Sequence, residues 1–249
     1  MSHHVFITGG GTGIGLAAAR ALAPTGARFT LVGRNAARVQ SAAEAFEHAQ
    51  GVACNVADEA SVATAFAAAR ERYGAIDILI NNAGVTPSAP LDRMDLALWN
   101  EVLAINLTGA FLCARAALAD MYANAWGRIV NVASIAGLKG GAYISAYCAS
   151  KHGLIGMTRA LAIEAAKRGV TVNAICPGYV DTDIVTRAAA TIASKTKLSE
   201  DDARAMLYAG NPQGRLITAD EVASAIAWLC SDGAAATNGA AIPMSGGEI

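Results

Sequence analysis

Short apolar runs alternate with alanine-rich stretches along nearly the whole chain, and no other feature restricts the fold so strongly. Runs at 4–8, 28–32, 52–54, 76–80, 128–132, 171–175 and 240–243 are apolar through most of their length rather than at every second position. Such runs suit strands covered on both faces, as in a parallel sheet. The helical stretches between them supply the crossovers that parallel neighbours need, and such crossovers are right-handed. The pattern predicts an α/β fold: a Rossmann-like, doubly wound parallel sheet of seven strands flanked by helices. A chain of 249 residues fits one catalytic domain spanning 1–249. One stretch, 183–212, breaks the alternation and is expected to form a substrate lid. Within it Ser199 reads as the cap of a short helix whose first turn carries Glu200, Asp201 and Asp202.

Hydrophobic residues make up 54% of the chain and charged ones 16%, enough apolar material for a large core with some left for subunit contacts. A net charge of −1, with no run of Lys or Arg, gives no field for nucleic acid. The apolar runs are interrupted by Gly, Asn or charge, so no membrane span is expected. The start, Met1-Ser2-His3-His4-Val5, enters a strand-like run with no basic leader. Five scattered cysteines, never in a Cys-x-x-Cys pair, argue against disulfides and a zinc site. These features predict a cytoplasmic protein with a small-molecule substrate, no metal, and neither nucleic acid nor membrane as partner.

Directly after the first run comes Thr8-Gly9-Gly10-Gly11-Thr12-Gly13-Ile14-Gly15, opening into a helix expected at 16–23. Glycines there allow a tight turn close to a phosphate, and a helix start offers free N–H groups to an anion. At the end of the second run an NAD-binding chain carries an acid for the ribose hydroxyl. Here Gly33 and Arg34 stand instead, and a planar guanidinium suits a 2′-phosphate. NADP is therefore the expected cofactor, with NAD left open.

Tyr147 and Lys151 stand four residues apart, on one face of a helix, with Ser134 thirteen residues before the tyrosine. A neighbouring ammonium is expected to lower a phenol pKa that is ordinarily about 10. Such a tyrosine could exchange protons with an alcohol or carbonyl. Ser134 lacks the Gly-x-Ser-x-Gly flanks of a hydrolase nucleophile. His152 reads as packing or a pocket wall, and Cys148 as a small core residue.

Together these motifs resemble the short-chain dehydrogenase/reductase superfamily over essentially the whole chain. The segment from Thr8 to Gly15 resembles its cofactor loop, and Asn81-Asn82-Ala83-Gly84 the motif that ends its fourth strand. The resemblance implies a catalytic set of Asn106, Ser134, Tyr147 and Lys151, with Asn106 holding a water that links Lys151 to solvent. It implies cofactor contacts from Gly9, Thr12, Gly13, Ile14, Gly15 and Arg34, then from Asn55, Val56, Asn82, Ala83 and Gly84. Further contacts are implied for Tyr147, Lys151, Pro177, Gly178, Val180 and Thr182. Asn55 departs from the Asp usual in the family, and Ser245-Gly246-Gly247 from the commoner Asp-Gly-Gly. Hydride transfer between nicotinamide and a carbonyl or secondary alcohol is implied, in a homotetramer.

Ser134, Ile135, Tyr143, Tyr147 and Tyr179 are expected to meet substrate, beside Ala136 and Leu138. This mostly apolar set with its phenols favours a moderately hydrophobic ketone or alcohol. Lys139, Lys195 and Lys197 are candidates for the phosphates of a thioester carrier. The pattern resembles members acting on 3-oxoacyl/3-hydroxyacyl thioesters or 3-hydroxybutyrate; a general ketone or alcohol dehydrogenase is the alternative. A silent nucleotide-binding subunit would be expected to lack the tyrosine or lysine, and both are present.

Overall fold

The computed structural model describes residues 2–249. Its strands are β1 (His4–Thr8), β2 (Arg28–Gly33), β3 (Ala49–Ala53), β4 (Ile78–Asn81), β5 (Gly127–Val132), β6 (Val170–Pro177) and β7 (Ala241–Met244). They form one seven-stranded sheet, ordered β3-β2-β1-β4-β5-β6-β7 and parallel throughout. The helices are α1 (Gly13–Leu22), α2 (Ala36–Ala43), α3 (Glu59–Tyr73), α4 (Leu96–Leu103), α5 (Gly109–Ala123) and α6 (Ser145–Ala165). After β6 come α7 (Asp183–Lys195), α8 (Glu200–Tyr208) and α9 (Ala219–Cys230).

Both sheet faces are covered, which is why the strands read as continuous apolar runs. Val5 and Ile7 of β1 pack with Ala18 and Leu22 of α1 and Ile226 and Leu229 of α9. Phe6, between them, points the other way, to Phe66 of α3 and Met121 of α5. In the register Ile7 stands beside Leu31 on one side and Ile80 on the other. Burying side chains of this size contributes roughly 1.5–3 kcal/mol each. At the opposite end of β1 from the glycine turn, His4 is fully buried, its ring nitrogens meeting Gly74 O at 3.0 Å and Thr30 Oγ1 at 2.9 Å. Burial holds its pKa below the usual range.

The departures from expectation lie at element ends. β3 begins at Ala49, before the apolar run, because Gln50 Nε2 satisfies itself on Thr30 Oγ1 and Ala68 O. β4 begins at Ile78, since the Ile76 N–H is taken by Asp120 Oδ2. β6 continues to Pro177. α1 begins three residues before the expected start, so its first turn belongs to the glycine-rich segment. Ser199 caps α8 as expected, its Oγ accepting from Asp202 N at 3.1 Å.

One helix is longer and more continuously apolar than the interrupted runs of the sequence suggest. α4 and α5 are joined by a π turn, Ala104–Thr108, into an apolar helix of 28 residues, Leu96–Ala123, long and apolar enough by composition to cross a membrane. In this fold Val102, Ile105, Leu112, Cys113 and Met121 are buried.

β1 and β4 are neighbours, and the sheet grows outward from them in opposite directions. Doubly wound sheets form a crevice at the carboxyl ends of strands where the order reverses.

Candidate active site

That crevice is a groove lined by Gly9, Thr12, Gly13 and Ile14 from the first turn, Gly33 and Arg34 after β2, Asn55 and Val56 after β3, Asn82, Ala83 and Gly84 after β4, and Thr182. Thr8 holds its floor. Its Oγ1 accepts from Asn82 N and Ala83 N, both at 2.9 Å. Asn82 Nδ2 donates in turn to Thr8 O and Gly9 O, each at 3.1 Å. Gly9 and Gly13 have φ of +63° and +53°, where side chains are strained. Gly15 does not line the groove but lies under it: a Cβ there would fall 2.5 Å from Gly9 O. The first-turn amides of α1 have no helical acceptors and remain free for an anion. The residues present therefore fit a dinucleotide.

Asn55 Oδ1 already accepts from Ala57 N at 3.2 Å, so toward the groove this amide offers donors. Sequence reasoning missed Arg38, Arg187, Val85 and Ile105, which also line the groove. Arg38 was within reach of it: Asn35 caps α2 by accepting from Arg38 N, and this sets Arg34 and Arg38 on either side of the helix start. Arg187 comes from α7, which no motif marks.

The second cluster stands at the ends of β5 and β6. Ser134 follows β5 and caps the 3-10 turn Ile135–Gly137, its Oγ accepting from Ala136 N at 3.1 Å and donating to Pro177 O at 3.5 Å. Tyr147 lies in the first turn of α6 and Lys151 one turn on, its Nζ donating to Val132 O at 2.8 Å and lying 5.7 Å from the Tyr147 ring centre. Burial is the main influence on both groups. It pushes the Tyr147 phenol up to about 12, with Ser134 opposing through a hydrogen bond, and pulls Lys151 down to about 8. The net direction for the phenol is thus upward, where the Tyr147–Lys151 spacing predicts a lowering, because desolvation of the phenolate is the largest influence.

Asn106 sits in the π turn. Its Nδ2 donates to Val85 O at 2.9 Å and Ser150 Oγ at 3.1 Å, and its Oδ1 accepts from Val85 N at 2.9 Å. Both polar atoms of the amide thus hold protein groups. Ser150 Oγ passes the contact on, donating to Tyr147 O at 2.7 Å.

Pro177 and Gly178 border the Ser134 cluster rather than the groove, Gly178 N donating to Met244 O at 2.9 Å. Val180 is buried and forms a parallel bridge with Ile217. Thr182, at the N-cap position of α7 with its hydroxyl donating to Val180 O at 3.2 Å, comes within 3.3 Å of a Cβ placed on Gly13. Among the expected substrate residues Ile135 and Ala136 are buried, while Tyr143 is 62% exposed and Tyr179 45%. Tyr143 has a φ of +66°, a conformation costly for a tyrosine, and is held by Ala89 N donating to its carbonyl at 2.8 Å. His152 is exposed, its Nδ1 2.9 Å from Cys148 O. Lys139, expected as a phosphate contact, is paired with Glu248. Lys195 and Lys197 are exposed.

Residues 3–193 match the short chain dehydrogenase family. The chain is 42% identical to the cis-4-hydroxycyclohexanecarboxylate dehydrogenase of Sinomonas cyclohexanicum, over 97% of this chain and 94% of that one. It is 37% identical to the 3-oxoacyl-(acyl-carrier-protein) reductase of Escherichia coli K12, over 97% and 95%. The crystal structure of an actinorhodin polyketide ketoreductase variant with NADPH superposes with a TM-score of 0.95 at 35% identity, covering 99% of this chain and 97% of that one. With the parallel sheet and its glycine-lined crevice already in place, these likenesses make the chain a member of the short-chain dehydrogenase family and an NAD(P)-dependent oxidoreductase.

Proposed function

We propose that the protein interconverts a 3-oxoacyl thioester and its 3-hydroxy form, using NADP. The observation that carries this is the convergence of Ser134 and Tyr147 beside a groove whose far end holds Arg34 and Arg38. The name of the Escherichia coli relative and the NADPH of the actinorhodin ketoreductase support the same choice. A general ketone or secondary-alcohol dehydrogenase is the second reading, favoured by the name of the Sinomonas relative.

A bound nicotinamide would supply the hydride to, or accept it from, the substrate carbon. Tyr147 gives a proton to the substrate oxygen, or takes one in the reverse direction. Ser134 donates to that same oxygen; its 3.5 Å bond to Pro177 O is long and readily exchanged for a better one. Lys151, an ammonium with a lowered pKa, stabilises the phenolate and can return its proton. Asn106 positions the first turn of α6 through Ser150 and braces the groove at Val85. Gly9, Thr12, Gly13 and Ile14 would hold the pyrophosphate, Asn55 and Val56 would lie toward the adenine, and Thr182 with Val180 and the turn Pro177-Gly178 toward the nicotinamide. Ile135, Tyr143 and Tyr179 flank the substrate, and α7 with α8 acts as its lid.

The test is nicotinamide absorbance with NADPH or NADH and a panel of acetoacetyl thioesters and aryl ketones. NADPH should be preferred, and Arg34→Asp should shift that preference toward NADH by about tenfold or more. A wild type that prefers NADH would remove the NADP assignment; cofactor binding with no turnover of any substrate would favour the silent subunit.

A cytoplasmic homotetramer is proposed as the working form. It is supported by apolar side chains on outer helices: Leu96 of α4 is 71% exposed, Ile163 of α6 81%, and Phe111 of α5 and Trp228 of α9 are nearly half exposed. Light scattering should give four times the 25.3 kDa of one chain; a monomer mass would refute it.

A further inference from the structure

Glu248 lies among three segments that border the Ser134–Tyr147 cluster. Its Oε1 accepts from Lys139 Nζ at 2.6 Å. Lys139 follows the turn that Ser134 caps, and its carbonyl accepts from the thiol of Cys148, the residue beside Tyr147. On the opposite side, a Cβ placed on Gly210, just past α8, would come within 3.0 Å of Glu248 Oε1, and one on Gly178 within 3.8 Å of Oε2. The carboxylate therefore lies close against Gly210, with Gly178 at ordinary contact distance. Tyr179 feels both members of the pair: Glu248 adds to the rise that burial causes in its phenol pKa, and Lys139 opposes it. Tyr179 in turn acts on Tyr147.

A free ammonium at this position would anchor a substrate carboxylate or phosphate. Here the chain supplies the anion itself, and with a side chain only 16% exposed Glu248 is the more sheltered partner, Lys139 being 39% exposed. We propose that Glu248 is a specificity-determining residue: an internal counter-ion that masks Lys139, so that the site favours substrates neutral around the reacting carbonyl over those carrying an anion there. An incoming carboxylate would meet Glu248 as a like charge and would have to displace it from Lys139. A thioester or ester meets no such obstacle. This specificity rests on the carbonyl substrate proposed above.

The experiment compares acetoacetate with its ethyl ester, binding each to the full-length protein in the presence of NADP⁺, where neither ketone can react, by calorimetry. Glu248→Gln should bind acetoacetate about tenfold or more tighter than the wild type, with the ester unchanged. Adding Lys139→Met to that variant should remove the gain. Lys139→Met alone should bind acetoacetate no more tightly than the wild type, since it leaves Glu248 as an uncompensated like charge. Equal acetoacetate affinity in the wild type and Glu248→Gln would overturn the proposal, as would a gain that survives loss of Lys139. Turnover of both ketones with NADPH is measured in parallel. Failure of every variant to reduce either one counts against the carbonyl substrate, whereas the binding ratios alone decide the masking.

Discussion

Tyr147→Phe is expected to lower turnover by about 10²–10⁴-fold while leaving fold and cofactor affinity essentially intact. The variant removes one hydroxyl from the first turn of α6. Ser134 keeps its contacts to Ala136 N and Pro177 O, and Lys151 keeps Val132 O. Cofactor titration by fluorescence should therefore show little change even where no product forms. The pH profile gives an independent check. Burial raises the phenol to about 12, so it retains its proton well above the ordinary tyrosine range. Carbonyl reduction, which needs the protonated phenol, should then show no loss of donor through neutral pH. Alcohol oxidation, which needs the phenolate, should become faster as pH rises. Steady-state rates in both directions test this, and the rising oxidative limb should vanish in the Phe variant. A Phe variant that retains turnover would exclude Tyr147 as the acid/base. A reductive rate that falls as Lys151 deprotonates, near pH 8, would instead tie proton supply to the lysine.

Gly15→Ala should cause the second large effect, this time on cofactor binding. The added Cβ would lie 2.5 Å from Gly9 O and 2.7 Å from Asn82 Nδ2. Neither is the free end of a flexible chain: Gly9 O is backbone, and Asn82 Nδ2 is fixed by its bonds to Thr8 O and Gly9 O. The turn must therefore move, and Gly9 lines the groove. Overpacking of this kind costs about 1–3 kcal/mol in stability. Displacement of the phosphate-facing amides should weaken cofactor by about a hundredfold, a loss readable by calorimetry beside a thermal melt. Unchanged affinity would mean that the turn does not cradle the phosphates.

How legible these features were in the sequence depends on the range of the forces that make them. β1, β2 and β5 were readable because their residues are buried on both faces, and that condition shows in the chain as an unbroken apolar run. β3 is an edge strand holding Gln50 and Gly51, whose environment comes from Thr30 and α2, so its start was not visible. The pairing of Tyr147 with Lys151 follows from helix geometry alone. The sign of the phenol's shift does not, because it depends on how much protein closes over the site from β5, β6 and the loops beyond them. Lys139 looked like a free cation because its partner lies 109 residues away. Arg187 entered the groove unannounced for the same reason, brought there by tertiary packing of α7.

Asn106 illustrates a different limit, and with it a consequence for how such a chain can change. The π turn closes with Gly109 N–H on Ala104 O, a bond spanning five residues where an α-helix spans four. It amounts to one surplus residue inside an otherwise regular helix. That surplus turns the Asn106 amide inward to Val85 and Ser150 while α5 still lays Leu112 and Met121 on the core. Losing a single codon anywhere in 104–108 would let the helix close into regular α geometry without disturbing the sheet. A short and common genetic event could therefore separate the folded scaffold from its chemistry. Drift toward a well-folded but inactive descendant needs no substitution at Ser134, Tyr147 or Lys151.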